Sequence, residues 1–69
     1  MEMTKLEFFA FDVLGDFLPL RAYEVTNVHG RDVILVNTAR IGVPIDFVHD
    51  EWNNAIKGTE FENVRLYTC

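Results

Sequence analysis

The sequence has few of the residues from which catalytic and metal-binding sites are usually built. It contains no serine, one cysteine and two histidines among 69 residues. The single cysteine, Cys69, excludes an intramolecular disulfide and a zinc site with several cysteine ligands. The histidines, His29 and His49, lie in different predicted elements, and the four glycines form no phosphate-binding loop. We therefore expect no catalytic residues, no metal and no cofactor, and predict that the protein is not an enzyme.

Long apolar runs are also missing. The longest, residues 8–11 and 33–36, are far shorter than the ~18 residues that a membrane-spanning helix requires. Residues 1–5 carry no positively charged region followed by an apolar stretch, so the pattern is not that of a signal peptide. Small secreted domains are normally rich in cysteine. These features predict a cytoplasmic protein with no membrane partner.

Positive charge is scarce. Six Lys and Arg residues stand against eleven Asp and Glu, which gives a net charge of −5. Nucleic-acid binding through phosphate requires a concentrated basic surface, so we do not expect a nucleic-acid partner. The segment 46–62 has five carboxylates against the single Lys57, a net charge of −4. These acidic residues are Asp46, Asp50, Glu51, Glu60 and Glu62.

Apolar residues, in contrast, are plentiful. They make up 49% of the chain and include six phenylalanines. We predict one domain, residues 1–69. Domains of this size bury only about 60% of the surface that their unfolded chains expose. Because no disulfide is available, we expect part of the apolar surface to be covered by a second copy of the chain or by a partner protein.

The residue pattern predicts an α+β fold that is mostly β. Aromatic and β-branched residues favour strands, and His29-Gly30 is typical of a tight hairpin turn. The predicted strands are 5–13, 18–28, 32–38 and 62–68.

The segment 40–57 allows two interpretations. One is a further strand over 40–47 followed by a short helix over 50–57. The other is a longer helix that starts near Pro44 or Asp46 and stops at Gly58. We favour a helix that begins between Asp46 and Asp50. The whole pattern then predicts a small antiparallel sheet or an SH3-like barrel of four to five strands, with one short helix before the last strand.

One polar cluster could carry chemistry. On a helix, Asp46, His49 and Asp50 share a face, with Glu51 adjacent, and such groups could hold a divalent metal or transfer protons. Acidic residues are also favoured at the first turn of a helix, where the helix dipole stabilises negative charge. We favour the second interpretation.

Trp52, near Phe47 and Phe61, could be an exposed anchor for a partner, because aromatic residues are enriched at interfaces. Its helical spacing from Val48 and Ile56 favours the core instead.

The leading functional hypothesis is a small protein-binding or regulatory module, an inhibitor or adaptor of the kind that phages and bacteria encode. It would bind another protein, one with a basic surface, through the acidic helix region and exposed aromatics. The predicted partner-binding residues are Asp46, Asp50, Glu51, Trp52, Glu60 and Glu62. One alternative is an accessory subunit or domain of an enzyme that uses residues 49–51. Another is a small barrel that binds RNA or single strands by stacking on aromatics such as Phe9, Phe11, Tyr23 and Tyr67.

Overall fold

A computed structural model describes residues 3–68 of the chain. The elements are helix α1 (Lys5–Leu14), strands β1 (Tyr23–Val28) and β2 (Arg31–Val36), helix α2 (Ile45–Ile56) and strand β3 (Arg65–Thr68). Strand β2 lies in the middle of the sheet, antiparallel to β1 and parallel to β3. The described residues thus form a mixed three-stranded sheet with two helices. The prediction of an antiparallel sheet or SH3-like barrel of four to five strands with one short helix is wrong.

The largest error concerns residues 5–13, which form α1 and not a strand. The Thr4 hydroxyl accepts a hydrogen bond from the Glu7 backbone N–H at 3.1 Å, and the Glu7 carboxylate accepts one from the Thr4 N–H at 3.0 Å. This capping box satisfies donors that a helix start would otherwise leave unpaired. The buried side chains of α1 recur every four residues: Leu6, Ala10 and Leu14. Packing of this apolar stripe outweighs the β-preference of the phenylalanines.

The predicted hairpin is confirmed. Strands β1 and β2 pair from Tyr23 opposite Val36 to Val28 opposite Arg31. His29 and Gly30 have φ angles of 52° and 84°, as a two-residue type I′ turn requires at both central positions. β1 begins at Tyr23 and not at residue 18, because residues 20–22 form a 3₁₀ turn.

Helix α2 begins at Ile45, one residue before the range predicted for its start, and no strand forms over 40–47. A 3₁₀ turn at residues 38–40 precedes it. Pro44 is the N-cap residue, so neither Asp46 nor Asp50 caps the helix. Gly58, with a φ of 75°, follows the helix end, which confirms the predicted stop.

Both helices pack on the same face of the sheet. Their buried residues share one cluster with Ile34, Val36 and Leu66 from the sheet. Trp52 is the largest fully buried side chain, and its ring meets Phe9 edge-on at a centroid distance of 5.6 Å. Between residues 3 and 68, no helix packs on the opposite face. Neither described helix has the length and apolar character needed to cross a bilayer.

Candidate protein-binding surfaces

The six predicted partner-binding residues do not lie on one surface. Asp46, Asp50 and Glu51 are exposed on α2, Glu60 and Glu62 are exposed in the segment between α2 and β3, and Trp52 is in the core. The acidic segment of the sequence therefore divides into a helical part and a loop part.

Trp52 has no exposed surface. Its indole N–H donates a hydrogen bond to the Val64 carbonyl at 2.9 Å, so the side chain joins α2 to the residue before β3. The helical spacing that favoured a core position is confirmed by this burial. A side chain without exposed surface cannot contact a partner in this conformation, so Trp52 does not belong to the candidate surface.

Phe47 is the aromatic that α2 exposes. Its side chain is 42% exposed, and its ring meets Phe17 edge-on at a centroid distance of 5.1 Å. Asp50 and Glu51 follow Phe47 by three and four residues, so helix geometry places both beside the ring. Asp46 lies one turn before Asp50. These four residues, which we name the α2 surface, combine one apolar ring with three carboxylates.

Two acidic residues also have local structural roles. Asp46 lies in the first turn of α2, where the positive end of the helix dipole stabilises its charge. The Glu62 carboxylate accepts a hydrogen bond from the Gly58 N–H at 3.0 Å and closes the turn after α2. Glu62 thus stabilises its own loop. Among the described acidic residues of segment 46–62, Asp50, Glu51 and Glu60 have no comparable capping or turn-closing role.

His49 is less exposed than Asp50 and Glu51, which follow it on α2. It is half-buried and lines an open depression of about 450 Å³ together with Asn53, Glu62 and Leu66, while Asp50 and Glu51 do not line it. Among residues 3–68, no three His, Cys, Asp or Glu side chains come together in an arrangement that could hold a metal ion. His29 is exposed in the hairpin turn, and Cys69 lies outside the described residues.

The four aromatics considered for base stacking are not on one surface. Phe9 is partly buried and packs against Trp52 and Phe61. Tyr23 is half-buried, and this burial raises the pKa of its phenol above the usual 10.0. Phe11 and Tyr67 are 45% and 52% exposed, the first on α1 and the second on β3.

The exposed side of α1 was missed by sequence reasoning. Phe8 is 58% exposed and lies three residues before Phe11, so the two rings share one face of the helix. Once residues 5–14 are recognised as helical, the stripe through Leu6, Ala10 and Leu14 places Phe8 outside it. The signal that could have revealed this face is the helical spacing of Leu6, Ala10 and Leu14.

The second surface that sequence reasoning missed is the face of the sheet without helices, which we name the outer sheet face. Pairing between the strands places eight side chains on it: Glu24, Thr26, Val28, Arg31, Val33, Leu35, Arg65 and Tyr67. Five of them line an open depression of about 400 Å³ together with His29: Val28, Arg31, Val33, Leu35 and Tyr67. The signal in the sequence was the unbroken apolar run 33–36, which supplies apolar side chains to both faces of β2.

No family model, curated protein or solved structure matches the chain. The α2 surface and the outer sheet face differ in charge, since the first holds three carboxylates and the second holds two arginines and one glutamate. Each is therefore suited to a partner of different chemistry.

Proposed function

We propose that the protein is a small cytoplasmic binding module, without enzymatic activity, that acts on another protein as an inhibitor or adaptor. It binds a partner with a basic surface through the α2 surface. The observation that carries this proposal is the exposed ring of Phe47 beside the carboxylates of Asp50 and Glu51 on the same side of the helix.

This arrangement provides two kinds of attraction at one place. The Phe47 ring can lose water-exposed apolar area on binding, and its face attracts a Lys or Arg cation by about 0.5–1 kcal/mol at an exposed site. Asp50 and Glu51 can pair with further cations around the ring, which steers the encounter and sets the orientation of the partner. An acidic chain with a net charge of −5 also attracts a basic partner over a longer distance.

The surface is also rigid. Val48 and Trp52 have no exposed surface and fix α2 to the core, and the Phe17 ring supports Phe47 from the side. A side chain that is held before binding loses less conformational entropy on binding. The fixed position of the Phe47 ring therefore supports a role in recognition.

The two alternatives have less support. An accessory role in enzyme chemistry needs His49 next to its acidic neighbours, whereas it lines a depression that Asp50 and Glu51 do not. Base stacking along a barrel needs a barrel and several aromatics on one surface, whereas Phe11 and Tyr67 lie on separate elements of an open sheet fold.

The proposal is tested by affinity capture from a lysate of the source organism with matched baits. Phe47→Ser removes the ring from the α2 surface, and Phe8→Ser removes a more exposed ring from α1 as a control. We expect the wild type and Phe8→Ser to retain the same basic-surfaced protein in stoichiometric amount, and Phe47→Ser to lose it. The proposal fails if excess bait retains no stoichiometric partner, or if Phe47→Ser retains it as well as the wild type.

Salt provides a second readout. Raising NaCl from about 50 to about 500 mM shortens the screening length from roughly 14 Å to roughly 4 Å. The association rate with the captured protein should fall at least tenfold, since steering depends on opposite charge. A rate that does not change with salt would remove the basic partner from the proposal.

A further inference from the structure

Two arginines lie at one corner of the outer sheet face. Arg65 on β3 pairs with Val33, and Arg31 stands two residues before Val33 on the same face of β2. Their Cα atoms are therefore roughly 8 Å apart, one strand spacing across the sheet and one residue pair along it. Nη1 of Arg65 donates a hydrogen bond to the Glu62 carbonyl at 3.3 Å, so this guanidinium is directed back towards the end of the sheet at which Arg31 lies. The two cations thus lie close together at that end.

No carboxylate neutralises these two cations. Within residues 3–68, the Arg31 side chain takes part in no hydrogen bond or ion pair, and the Arg65 side chain makes only its bond to the Glu62 carbonyl. Asp32 lies nearby, but its carboxylate accepts a hydrogen bond from the Asn27 amide at 3.1 Å. Two like charges at this separation repel each other, and an anion bound between them removes that repulsion.

The other acidic groups around this corner are engaged or distant. The Glu62 carboxylate accepts the hydrogen bond from the Gly58 N–H that closes the turn after α2. Glu24, the carboxylate of the outer sheet face, lies on β1 opposite Leu35, at the far end of the face from Arg31. The chain therefore presents a local pair of positive charges although its net charge is −5.

The corner is also concave. Both arginines line an open depression of about 510 Å³, whose other lining residues are Asp32, Val33, Asn63, Val64 and Tyr67. The exposed Asn63 side chain has no partner among residues 3–68, so its amide can donate to the same anion. Arg31, Val33 and Tyr67 also line the depression of about 400 Å³ on the outer sheet face, so an apolar surface continues from the basic corner. Volumes of about 300–1,000 Å³ are typical of small-molecule sites.

We propose that this corner binds the phosphate group of a small phosphate monoester whose organic part is apolar. The phosphate lies between the guanidinium groups of Arg31 and Arg65. It carries a charge of about −1.5 to −2 at pH 7, which matches two guanidinium groups. Its tetrahedral oxygens offer a separate pair to each arginine, whereas a carboxylate has one pair of oxygens and one charge.

The apolar part of the ligand has a surface beside the phosphate. Val33 forms the floor of both depressions, and the Tyr67 ring beside it is 52% exposed. An aromatic or aliphatic group that extends from the phosphate covers these two side chains and removes their apolar area from water. A nucleic acid fits less well, because it would bring a row of further phosphates against an acidic chain.

Titration with phenyl phosphate at pH 7.5, followed by the amide and arginine Nε–H resonances in ¹⁵N NMR spectra, tests the proposal. We expect saturable shifts at residues 31–33 and 63–67, with a dissociation constant of the order of 1 mM. Inorganic phosphate, which lacks the ring, should bind at least about threefold more weakly. Phenyl sulfate, which has the same shape with one charge fewer, should bind at least about fivefold more weakly.

Three variants with the same charge change locate the site. Arg31→Gln and Arg65→Gln should each weaken phenyl phosphate binding at least about fivefold. The Arg31 side chain bonds to no other described residue, so Arg31→Gln tests the site without loss of an internal contact. Arg21→Gln is the matched control, because Arg21 is exposed in the 3₁₀ turn before β1 and lines neither depression, and it should bind like the wild type.

Several results would overturn the proposal. One is the lack of saturable shifts up to about 20 mM phenyl phosphate. Another is a loss of affinity in Arg21→Gln equal to that in Arg31→Gln, which would show attraction to charge without a site. Inorganic phosphate that binds as tightly as phenyl phosphate would remove the apolar group from the ligand. Phe47→Ser should bind phenyl phosphate like the wild type, which separates this inference from the proposed function.

Discussion

The indole Nε1 of Trp52 donates a 2.9 Å hydrogen bond to the backbone carbonyl of Val64, twelve residues further along the chain. A buried tryptophan needs a partner for its one polar atom, and this bond supplies it inside the core. The same contact fixes the position at which the chain leaves the turn after α2 and enters β3. Trp52 is therefore a link between the second helix and the last strand.

Replacing this side chain should be costly. Trp52→Phe leaves the Val64 carbonyl without its donor and opens a cavity, so we expect the free energy of unfolding to fall by about 3 kcal/mol. Phe8→Leu, at an exposed aromatic position, should change it by less than about 0.5 kcal/mol. Urea denaturation measures both. If Trp52→Phe changed the free energy of unfolding as little as Phe8→Leu, the Trp52 contact would not contribute to stability.

The capping box at the start of α1 should also be measurable. Thr4→Ala removes the hydroxyl that accepts from the Glu7 N–H and should lower the free energy of unfolding by about 1 kcal/mol. Thr4→Ser keeps the hydroxyl and should recover most of that loss. Denaturation curves of the three proteins decide this, and a Thr4→Ala protein as stable as the wild type would contradict it.

The hairpin turn depends on a left-handed backbone at Gly30. Gly30→Ala places a Cβ at a φ of 84° and should lower the free energy of unfolding by about 1 kcal/mol. Gly42→Ala is the matched control, because an added Cβ there meets no atom within 4 Å and its φ is not left-handed. Thermal unfolding should give a lower melting temperature for Gly30→Ala alone. A similar loss in both variants would point to glycine content in general and not to the turn.

The half-buried phenol of Tyr23 predicts a loss of stability at alkaline pH. Burial raises the pKa of Tyr23 in the folded state above 10.0, the value of the unfolded chain. Above pH 10.0 the unfolded state therefore loses its proton first, so the stability that this group contributes is present below pH 10.0 and is lost as pH rises. Tyr23→Phe should reduce the fall in urea midpoint between pH 9 and pH 11. Tyr67→Phe, at an exposed ring, is the control and should leave that fall unchanged.

The hairpin was predictable from the sequence because its determinants are local. His29-Gly30 lies between two β-branched runs, and Gly30 needs no help from distant residues to adopt a positive φ. The helical stripe of Val48, Trp52 and Ile56 was equally local, so the existence of α2 and the burial of Trp52 could be predicted.

α1 was misassigned because both faces of residues 5–13 are apolar, which a strand and a helix can each explain. The sequence did contain a deciding signal in Thr4 and Glu7, the spacing of a capping box before an apolar run. The phenylalanines favour strands by propensity, but packing of the stripe through Leu6 and Ala10 decides the structure.

The arrangement of the sheet could not be predicted, because it is set by long-range packing. β3 pairs in parallel with β2 only because α2 crosses over one face between them. The outer sheet face exists as a consequence of that crossover, so the pairing of Val33 with Arg65 cannot be seen in the sequence. The acidity of segment 46–62 could be read from the sequence. Its division between α2 and the following loop could be seen only once the bounds of α2 were known.

The most direct test of a binding role for the α2 surface is the affinity of the captured partner for two charge-reversal variants. Asp50→Lys changes the α2 surface, whereas Glu24→Lys makes the same charge change on the outer sheet face, on the opposite side of the sheet from the helices. With the proteins at low micromolar concentration, isothermal titration should give at least a tenfold weaker dissociation constant for Asp50→Lys. Glu24→Lys should bind within twofold of the wild type. Equal weakening by both variants, or wild-type affinity for Asp50→Lys, would contradict a partner-binding site on α2.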